Sequence, residues 1–212
     1  MLHKIFRYLK TLIKMDYFSR LMLIRRTYRH VFTQFYLKFF FNGVGKKAIV
    51  FKQNILVFAK GITLGNNAIL LPNSRIELLP RYAGVEFEPK LVLGDNSQIH
   101  PNCHITCADS IVIGNDVIVT SNVTITDIIH PHDDINIPIN KTKLKTFPVK
   151  LGDQTYVYNN SVILPGTETG RHCVIAANSV VSGKYPDYCV IAGAPAKIIK
   201  KYNAESGLWE KV

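Results

Sequence analysis

The stretch of the sequence best equipped for chemistry is TDIIHPHDDINIP, residues 126–138. It holds two histidines, His130 and His132, followed directly by Asp133 and Asp134. An imidazole titrates near neutral pH, so a histidine here can act as a general base, and a neighbouring carboxylate can orient its ring or bind a substrate. The His-x-His spacing also suits a pair of metal ligands. The stretch therefore predicts either proton-transfer chemistry or a metal site.

A repeat of six residues surrounds this stretch on both sides and must position it. Within each block of the repeat, an inward-facing side chain is expected at every sixth position. The members of this series, of which only Thr169 is polar, are Leu64, Leu70, Ile76, Leu93, Ile99, Ile105, Ile113, Val119, Ile125, Leu151, Val157, Ile163, Thr169, Ile175 and Val181. A smaller side chain follows most of them four residues later, and Gly, Asn and Asp lie between. This period fits neither an amphipathic helix nor a simple strand, and it is typical of a solenoid.

Each hexapeptide predicts one short strand and one corner, so that three of them, about 18 residues, complete one coil of a parallel β-helix. Gly, Asn and Asp are expected at the corners because they tolerate a positive φ. The repeat is interrupted at residues 82–90 and 129–150, and it shifts by two positions at Ile111-Val112. Insertions of this kind become loops at one edge of a solenoid. A β-sandwich is the alternative, but its turns, about 8 to 12 residues apart, would not keep this phase.

Two stretches near the end of the repeat resemble a known family. They are ILPGTETGRHCVIAANSVV, residues 163–181, and VIAGAPAKIIKKY, residues 190–202. They look like the last coils and the closing segment of the hexapeptide-repeat acyltransferases, in the branch that O-acetylates sugars. The resemblance covers residues 64–201 and implies a mainly β fold, a left-handed parallel β-helix, whose hand is known from the family alone. It also implies acetyl-CoA as acyl donor, a saccharide acceptor, no metal and a homotrimer in which each active site is completed by the neighbour.

The resemblance also implies roles for individual residues. In the family a histidine followed by proline in the insert is the general base, and His130-Pro131 matches it. His130 would take the proton of the acceptor hydroxyl, while the backbone amide of Asn159 stabilises the oxyanion. The positions that match the acetyl-CoA site are Tyr156, Asn159, Ala177, Ser182, Gly193, Ala194, Lys197 and Lys200. The acceptor is expected at Asn102, Asp109, His132 and Asp133.

Other functions on the same scaffold stay open. An N-acetyltransferase acting on an amino-sugar nucleotide would use the same base. A zinc-dependent hydratase would use the histidines as metal ligands, and a non-catalytic scaffold would bind CoA weakly or not at all. Covalent catalysis by cysteine is not expected, because Cys103 and Cys173 fall in the small inward position of the hexapeptide and Cys107 and Cys189 form no Cys-x-x-Cys pair with them.

The net charge of +11 is concentrated at the start of the chain. Residues 1–41 hold nine basic side chains and Asp16 alone, a net of +8, which leaves +3 for the remaining 171 residues. The apolar residues between positions 2 and 13 keep helical spacing, so this segment predicts a basic amphipathic helix that either caps the first coil or contacts a membrane surface. Nucleic acid is not expected as a partner, because no recognised nucleic-acid-binding fold accompanies the charge.

The sequence thus predicts three segments. Residues 1–45 form the basic helical segment, residues 46–192 the β-helix with its insert, and residues 193–212 a closing segment, either a short helix or an extended tail. No uncharged apolar stretch approaches the roughly 20 residues of a spanning helix. The cysteine pattern favours the reducing cytoplasm. Peripheral contact at the inner face of the cell membrane through residues 1–41 stays open as the alternative to capping.

Overall fold

The computed structural model describes residues 15–212, in which short parallel strands stack into three sheets. The helix predicted between residues 2 and 13 lies outside the described residues. We call the three sheets faces A, B and C. Face A consists of β1 (Gly43–Val44), β4 (Ile62–Leu64), β9 (Lys90–Leu93), β12 (Ser110–Ile113), β17 (Val149–Leu151), β20 (Glu168–Thr169) and β23 (Lys184–Tyr185).

Face B has nine strands, of which the last two run antiparallel to the rest. They are β2 (Ile49–Val50), β5 (Ile69–Leu70), β10 (Gln98–Ile99), β13 (Ile118–Val119), β18 (Tyr156–Val157), β21 (Val174–Ile175), β24 (Cys189–Gly193), β25 (Ala196–Asn203) and β26 (Leu208–Lys211). Face C consists of β3 (Ile55–Val57), β6 (Arg75–Leu78), β11 (His104–Cys107), β14 (Thr124–Thr126), β19 (Val162–Ile163) and β22 (Val180–Val181).

The chain passes from face A to B to C in each of the first six coils, which are joined by A/B, B/C and C/A corners, while the seventh coil has strands on faces A and B alone. The seven coils span residues 43–57, 62–78, 90–107, 110–126, 149–163, 168–181 and 184–193. Two hairpins leave the C/A corner, β7 (Arg81–Tyr82) with β8 (Val85–Glu86) and β15 (Ile128–Ile129) with β16 (Lys145–Thr146). One α-helix, α1 (Tyr17–Phe35), and 3-10 helices at Leu37–Phe39, Ala59–Gly61 and Ile139–Lys141 complete the described residues.

The hexapeptide repeat forms the core, as predicted. Every member of the six-residue series is buried, including Thr169. The smaller side chains four residues on are buried as well, and their hydroxyl groups bond to the next coil: Ser97 Oγ donates to the Gly114 carbonyl at 2.7 Å and accepts from Val117 N–H at 2.8 Å. Each fully buried Leu or Ile stabilises the stack by roughly 1.5–3 kcal/mol.

The corners use asparagine and glycine for different reasons. Asn residues, such as Asn96 with a φ of 59°, supply the positive φ, as predicted. The glycines of the A/B corner do not, so that part of the prediction was wrong. A Cβ on Gly94 would lie 2.5 Å from the carbonyl oxygen of Gly114, because successive coils approach one another too closely there for a side chain.

A ladder of side-chain oxygens runs beside these glycines. Asn66 N–H donates to Asp95 Oδ1 at 2.7 Å, Asp95 N–H to Asn115 Oδ1 at 2.8 Å, and Asn115 N–H to Asp153 Oδ1 at 2.7 Å. Each coil therefore satisfies a backbone donor of the coil before it, as buried or crowded amides require.

Helix α1 covers the open end of the first coil. Arg29 Nε donates to the Val50 carbonyl at 2.8 Å, Thr33 Oγ1 accepts from Val50 N–H at 3.0 Å, and Gln34 Nε2 donates to the carbonyls of Gly45 and Ala48, both at 3.1 Å. These bonds satisfy backbone N–H and C=O groups at the edge of face B, which would otherwise be free to pair with another chain. Capping, one of the two predicted roles of the N-terminal segment, is therefore carried out by α1.

The other end of face B is covered by the closing segment. It is extended rather than helical, and it folds back as β25 and β26 on the outer edge of β24. Among the helices of the described residues, none is both long and apolar enough to cross a bilayer.

The close approach of the coils gives a stability prediction. Gly94→Ala should lower the free energy of unfolding by about 1–3 kcal/mol, because the new methyl group meets a backbone carbonyl that cannot move away. Gly43→Ala is the matched control, since its Cβ would meet only Thr63 Cγ2, at 3.4 Å. Denaturant unfolding of the two variants measures the difference, and equal stability would show that the coils do not constrain this corner.

Candidate active site

The long insert leaves the β-helix at the C/A corner between the fourth and fifth coils. Its root is a hairpin in which Ile128 pairs with Thr146 and Ile129 with Lys145. The coil pattern resumes with β17 at Val149, so the chain between β15 and β17 leaves the stack as a loop with a structured root. Residues just beyond β15 are therefore held by rigid structure, while most of residues 132–143 are exposed.

His130 lies directly after β15 and is half-buried. Its Nδ1 atom is the one buried side-chain nitrogen or oxygen of residues 15–212 that has no hydrogen-bond partner. Leaving such a group unpaired costs about 1–3 kcal/mol, so a water molecule, an ion or a catalytic partner is expected at Nδ1. The predicted base therefore lies at the root of the loop, and its Nδ1 atom has no hydrogen-bond partner among the described residues.

Tyr82 is a neighbour of His130 that the sequence did not reveal. Its ring meets the imidazole edge to face, with centroids 5.4 Å apart, and its hydroxyl donates to the Asn140 carbonyl at 2.8 Å. The first hairpin, β7–β8, thereby braces both the root and the outer part of the insert. The interrupted repeat at residues 82–90 indicated a loop at this edge, but nothing in the pattern linked the loop to the histidine.

Asp127 is a second residue that the sequence analysis missed. Its carboxylate is fully buried and accepts from Ala108 N–H at 2.9 Å, from Asp109 N–H at 2.8 Å and from Cys107 Sγ at 3.3 Å. It therefore ties the start of the insert to the C/A corner of the coil below. Its position in the sequence, immediately before the insert, was the signal that could have identified it, but the prediction rested on the histidines of the insert.

The four predicted acceptor residues divide between the two edges of face C. Asp109 lies at the C/A corner one coil below the insert, half-buried, and its Oδ2 accepts from Thr146 Oγ1 at 3.3 Å. His132 and Asp133 are exposed on the loop, where Lys145 hydrogen-bonds Asp133 at 3.1 Å and lowers the pKa of its carboxyl. Asn102 is an exposed B/C corner residue with a φ of 63°, so it stands apart from the other three.

Most of the predicted acetyl-CoA positions lie together at the B/C corner and on face B. We call Asn159, Ala177, Gly193 and Ala194 the corner strip, because they follow one another up the fifth, sixth and seventh coils. Asn178 N–H donates to the Asn159 carbonyl at 3.1 Å and so joins the first two coils of this strip.

The remaining acetyl-CoA positions flank the corner strip, with one exception. Tyr156 is half-buried on face B with its ring 4.7 Å from that of Tyr158, and Lys197 and Lys200 lie on β25. Ser182 is the exception, because it lies at the C/A corner, where its carbonyl accepts from the Tyr185 hydroxyl at 2.9 Å.

Face C separates the base from the corner strip within one chain. In the fifth coil the backbone crosses this face between residues 160 and 164, which at about 3.3 Å per residue is roughly 13 Å. His130 stands at the C/A edge of the face and Asn159 at the B/C edge. A single chain therefore carries both halves of the predicted site, but at opposite edges of one sheet.

The cysteines are packed in the core, as predicted for Cys103 and Cys173. All four are buried and none forms a disulfide. Burial raises the pKa of the Cys103 thiol to about 11. Burial, with the adjacent charge of Asp127, also raises the pKa of Cys107. Thiols that stay protonated at neutral pH are poor nucleophiles, so the chemistry is not assigned to Cys103 or Cys107.

A groove of about 920 Å³ lies elsewhere, along face A and the A/B corner. Lys150, Glu168, Lys184 and Asp187 are among the side chains that line it, and neither histidine nor cysteine is among them. Because size alone does not indicate a reaction, the candidate site is assigned to His130 and the edges of face C.

Within the part of the chain that the structure describes, no three His, Cys, Asp or Glu side chains are grouped as a metal ion would require.

These features define a hexapeptide-repeat protein with the left-handed parallel β-helix that the resemblance implied, carrying a histidine at the root of its loop. No family model matches the chain. WbbJ of Escherichia coli K12, which carries the name of a lipopolysaccharide biosynthesis O-acetyl transferase, is 42% identical over 128 residues, 57% of this chain and 65% of the relative. The galactoside O-acetyltransferase of the same organism is 30% identical over 125 residues, 55% of this chain and 60% of the relative.

A solved structure shares the fold. AntD, an N-acyltransferase from Bacillus cereus solved with dTDP and 3-hydroxybutyryl-CoA, superposes with a TM-score of 0.64 at 20% identity, over 80% of this chain and 88% of that one. The sequence similarity thus confirms the resemblance to sugar O-acetyltransferases, and the superposition confirms the fold. The chain matches about two thirds or less of the length of these two sequence relatives.

The role of Asp127 can be tested by replacing one oxygen. Asp127→Asn should lower stability by about 1–3 kcal/mol, since an amide NH2 group would face a backbone N–H that now donates to the carboxylate. Asp134→Asn is the control, because Asp134 is exposed and accepts from Asn136 N–H, at 2.9 Å, within its own loop. Thermal unfolding and amide exchange at residues 108 and 109 report the effect. Equal behaviour of the two variants would refute the anchoring role.

Proposed function

We propose that the chain transfers an acetyl group from acetyl-CoA to a hydroxyl of a saccharide, the precursor of a surface polysaccharide such as capsule or O-antigen. The observation that carries the proposal is His130, an imidazole fixed at the root of the insert with its Nδ1 buried and unpaired. Because Nδ1 points into the protein, Nε2 is the nitrogen that we assign as the base. The similarity to two O-acetyltransferases supports a hydroxyl as the acceptor.

The reaction we propose needs no covalent enzyme intermediate. His130 takes the proton of the acceptor hydroxyl while its oxygen attacks the thioester carbonyl of acetyl-CoA. The tetrahedral oxyanion is stabilised by the backbone amide of Asn159. The carbon–sulfur bond then breaks, the CoA sulfur takes the proton from the imidazolium, and the products are the acetyl ester and CoA.

A neutral histidine that accepts a proton at Nε2 carries its own proton on Nδ1. That N–H requires an acceptor to fix the tautomer and to stabilise the imidazolium ion. The described residues offer no such acceptor, and because Nδ1 is buried within the chain we assign the acceptor to an ordered water beside it. Tyr82 holds the imidazole in place through an edge-to-face ring contact rather than through a hydrogen bond.

We propose a homotrimer as the active form, because the two halves of the site lie on opposite edges of face C. Packing of chains side by side places the C/A edge of one against the B/C edge of the next, as a heterologous interface in a closed ring does. His130 of each chain would then face the corner strip of its neighbour. Acetyl-CoA would follow this strip, with Lys197 and Lys200 near its phosphates, since ammonium groups bind phosphate as point charges.

The acceptor would enter from the C/A edge. We assign to it Asp109, beside the root of the insert, and His132 and Asp133 on the loop.

We place the enzyme in the cytoplasm. The alternative acceptor is the amine of an amino-sugar nucleotide; the fold shared with the N-acyltransferase AntD fits this acceptor but does not favour it over a hydroxyl.

The assigned base gives a kinetic prediction. His130→Ala should lower kcat by about 10²–10⁴-fold, the usual contribution of a general base, and leave the affinity for CoA unchanged. His132→Ala, two residues along on the exposed loop, is the comparison: as an acceptor contact, it should raise KM for the saccharide and leave kcat largely unchanged. Transfer of labelled acetyl from acetyl-CoA measures turnover, and calorimetry measures CoA binding.

Substantial turnover by the His130→Ala variant would remove His130 from the base role, and loss in the His132→Ala variant alone would transfer the role to His132. Assaying oligosaccharides with free hydroxyls beside an amino-sugar nucleotide identifies the acceptor. Transfer to the amine alone would contradict O-acetylation.

A further inference from the structure

Helix α1 exposes a continuous row of apolar side chains. Tyr17, Leu21, Ile24, Tyr28, Val31 and Phe35 follow one another at intervals of three and four residues, which places them along one side of a helix. We call these six residues the apolar stripe. Their exposed fractions are 67%, 45%, 54%, 61%, 49% and 74%. Large exposed apolar patches on soluble domains usually mark an interaction site.

The polar side chains of α1 face the protein instead. Arg29, Thr33 and Gln34 bond to the backbone of the first coil, and Thr33 is fully buried. An ordinary surface helix has the opposite arrangement, with its apolar side against the core. Because polar residues cap the β-helix, the cap does not explain the apolar stripe.

The surroundings of the stripe are aromatic and basic. Phe18, Tyr36, Phe39 and Phe40 are also exposed, at 75%, 53%, 72% and 48%. Residues 15–41 contain five basic side chains and one acidic one, Asp16, so their net charge is +4. Asp16 itself serves as the N-cap of α1, accepting from Phe18 N–H and Ser19 N–H at 3.0 Å.

This charge distinguishes between the candidate occupants of the stripe. A second copy of α1 would bring another +4 against it, and the preceding 14 residues carry four further basic side chains and no acidic one. An anionic lipid surface supplies the opposite charge together with an apolar layer for the stripe. Tyrosine rings also favour the boundary between lipid and water.

We propose that the apolar stripe, with Arg20 beside it at three residues after Tyr17 and four before Ile24, binds the surface of an anionic lipid bilayer, with α1 lying parallel to the membrane plane. The N-terminal segment then has both of the roles that the sequence left open, capping with one side of a helix and membrane contact with the other. The insert lies between the fourth and fifth coils, so His130 would stand roughly 15 Å along the β-helix axis from the first coil, at about 4.8 Å per coil. That distance suits an acceptor whose sugar is carried on a membrane lipid.

Binding of the full chain to vesicles tests this proposal independently of any acetyl transfer. The chain should sediment with vesicles of phosphatidylcholine mixed with phosphatidylglycerol, and about tenfold less with phosphatidylcholine alone. The double change Leu21→Gln and Ile24→Gln, and separately Arg20→Glu, should each weaken binding to the mixed vesicles about tenfold. The controls are Leu208→Gln and Lys211→Glu in β26, exposed residues at the other end of the β-helix, which should bind normally.

A fluorescence measurement identifies what covers the stripe. Trp209 is the single tryptophan, so Tyr28→Trp in a Trp209→Phe background reports on the stripe alone. Its emission should shift to the blue only when mixed vesicles are added. A blue-shifted emission without vesicles, or smaller oligomers for the Leu21→Gln and Ile24→Gln variant, would show that a second copy or residues 1–14 cover the stripe, and would overturn the proposal. Normal vesicle binding by the stripe variants would do the same.

Acetyl transfer to a water-soluble acceptor should be unchanged in the stripe variants. Failure of the membrane proposal therefore leaves the proposed reaction standing, and an inactive chain that still binds vesicles leaves the membrane proposal standing.

Discussion

The in-register stacking of the coils is the constraint on which the rest of the structure depends. Successive coils bond through short parallel strands and approach so closely at the A/B corner that a Cβ on Gly94 would overlap the Gly114 carbonyl. Stacking buries the six-residue series and fixes where every corner points. It also creates two open ends, which explains why α1 and the β25–β26 hairpin are needed, and it leaves the C/A corner as the place where insertions can leave without breaking the stack.

The candidate site follows from that last property. Two hairpins emerge from the same corner, and their contact through Tyr82 and His130 holds an imidazole at a rigid root rather than on a mobile loop. Asp127 fastens the same root to the coil below. The corner strip, by contrast, is built from turn residues at the far edge of face C. The straight stack therefore separates two groups that the proposed reaction needs together, and assembly of chains is the simplest way to unite them.

The sequence predicted what depends on a local period and missed what depends on contacts between distant segments. The buried series, the small inward positions and the asparagine corners each repeat with a fixed spacing, so the sequence predicted them. The insert was visible as a break in that spacing. The glycines were misinterpreted, since close approach between coils leaves no trace in one hexapeptide. Tyr82 and Asp127 contact residues 58 and 18 to 19 positions away through loops whose path no period specifies. The division of helix α1 into a capping and an apolar side also required coordinates.

The central claim is that His130 of one chain acts with the corner strip of another. Mixed oligomers of His130→Ala with Ala177→Trp, each inactive by itself, test it most directly. If the site lies between chains, random mixing of equal amounts should restore about a quarter of the sites, because a quarter of the interfaces then combine an intact histidine with an intact strip. If each site lies within one chain, every site keeps one defect, and mixed oligomers that remain inactive would contradict the account.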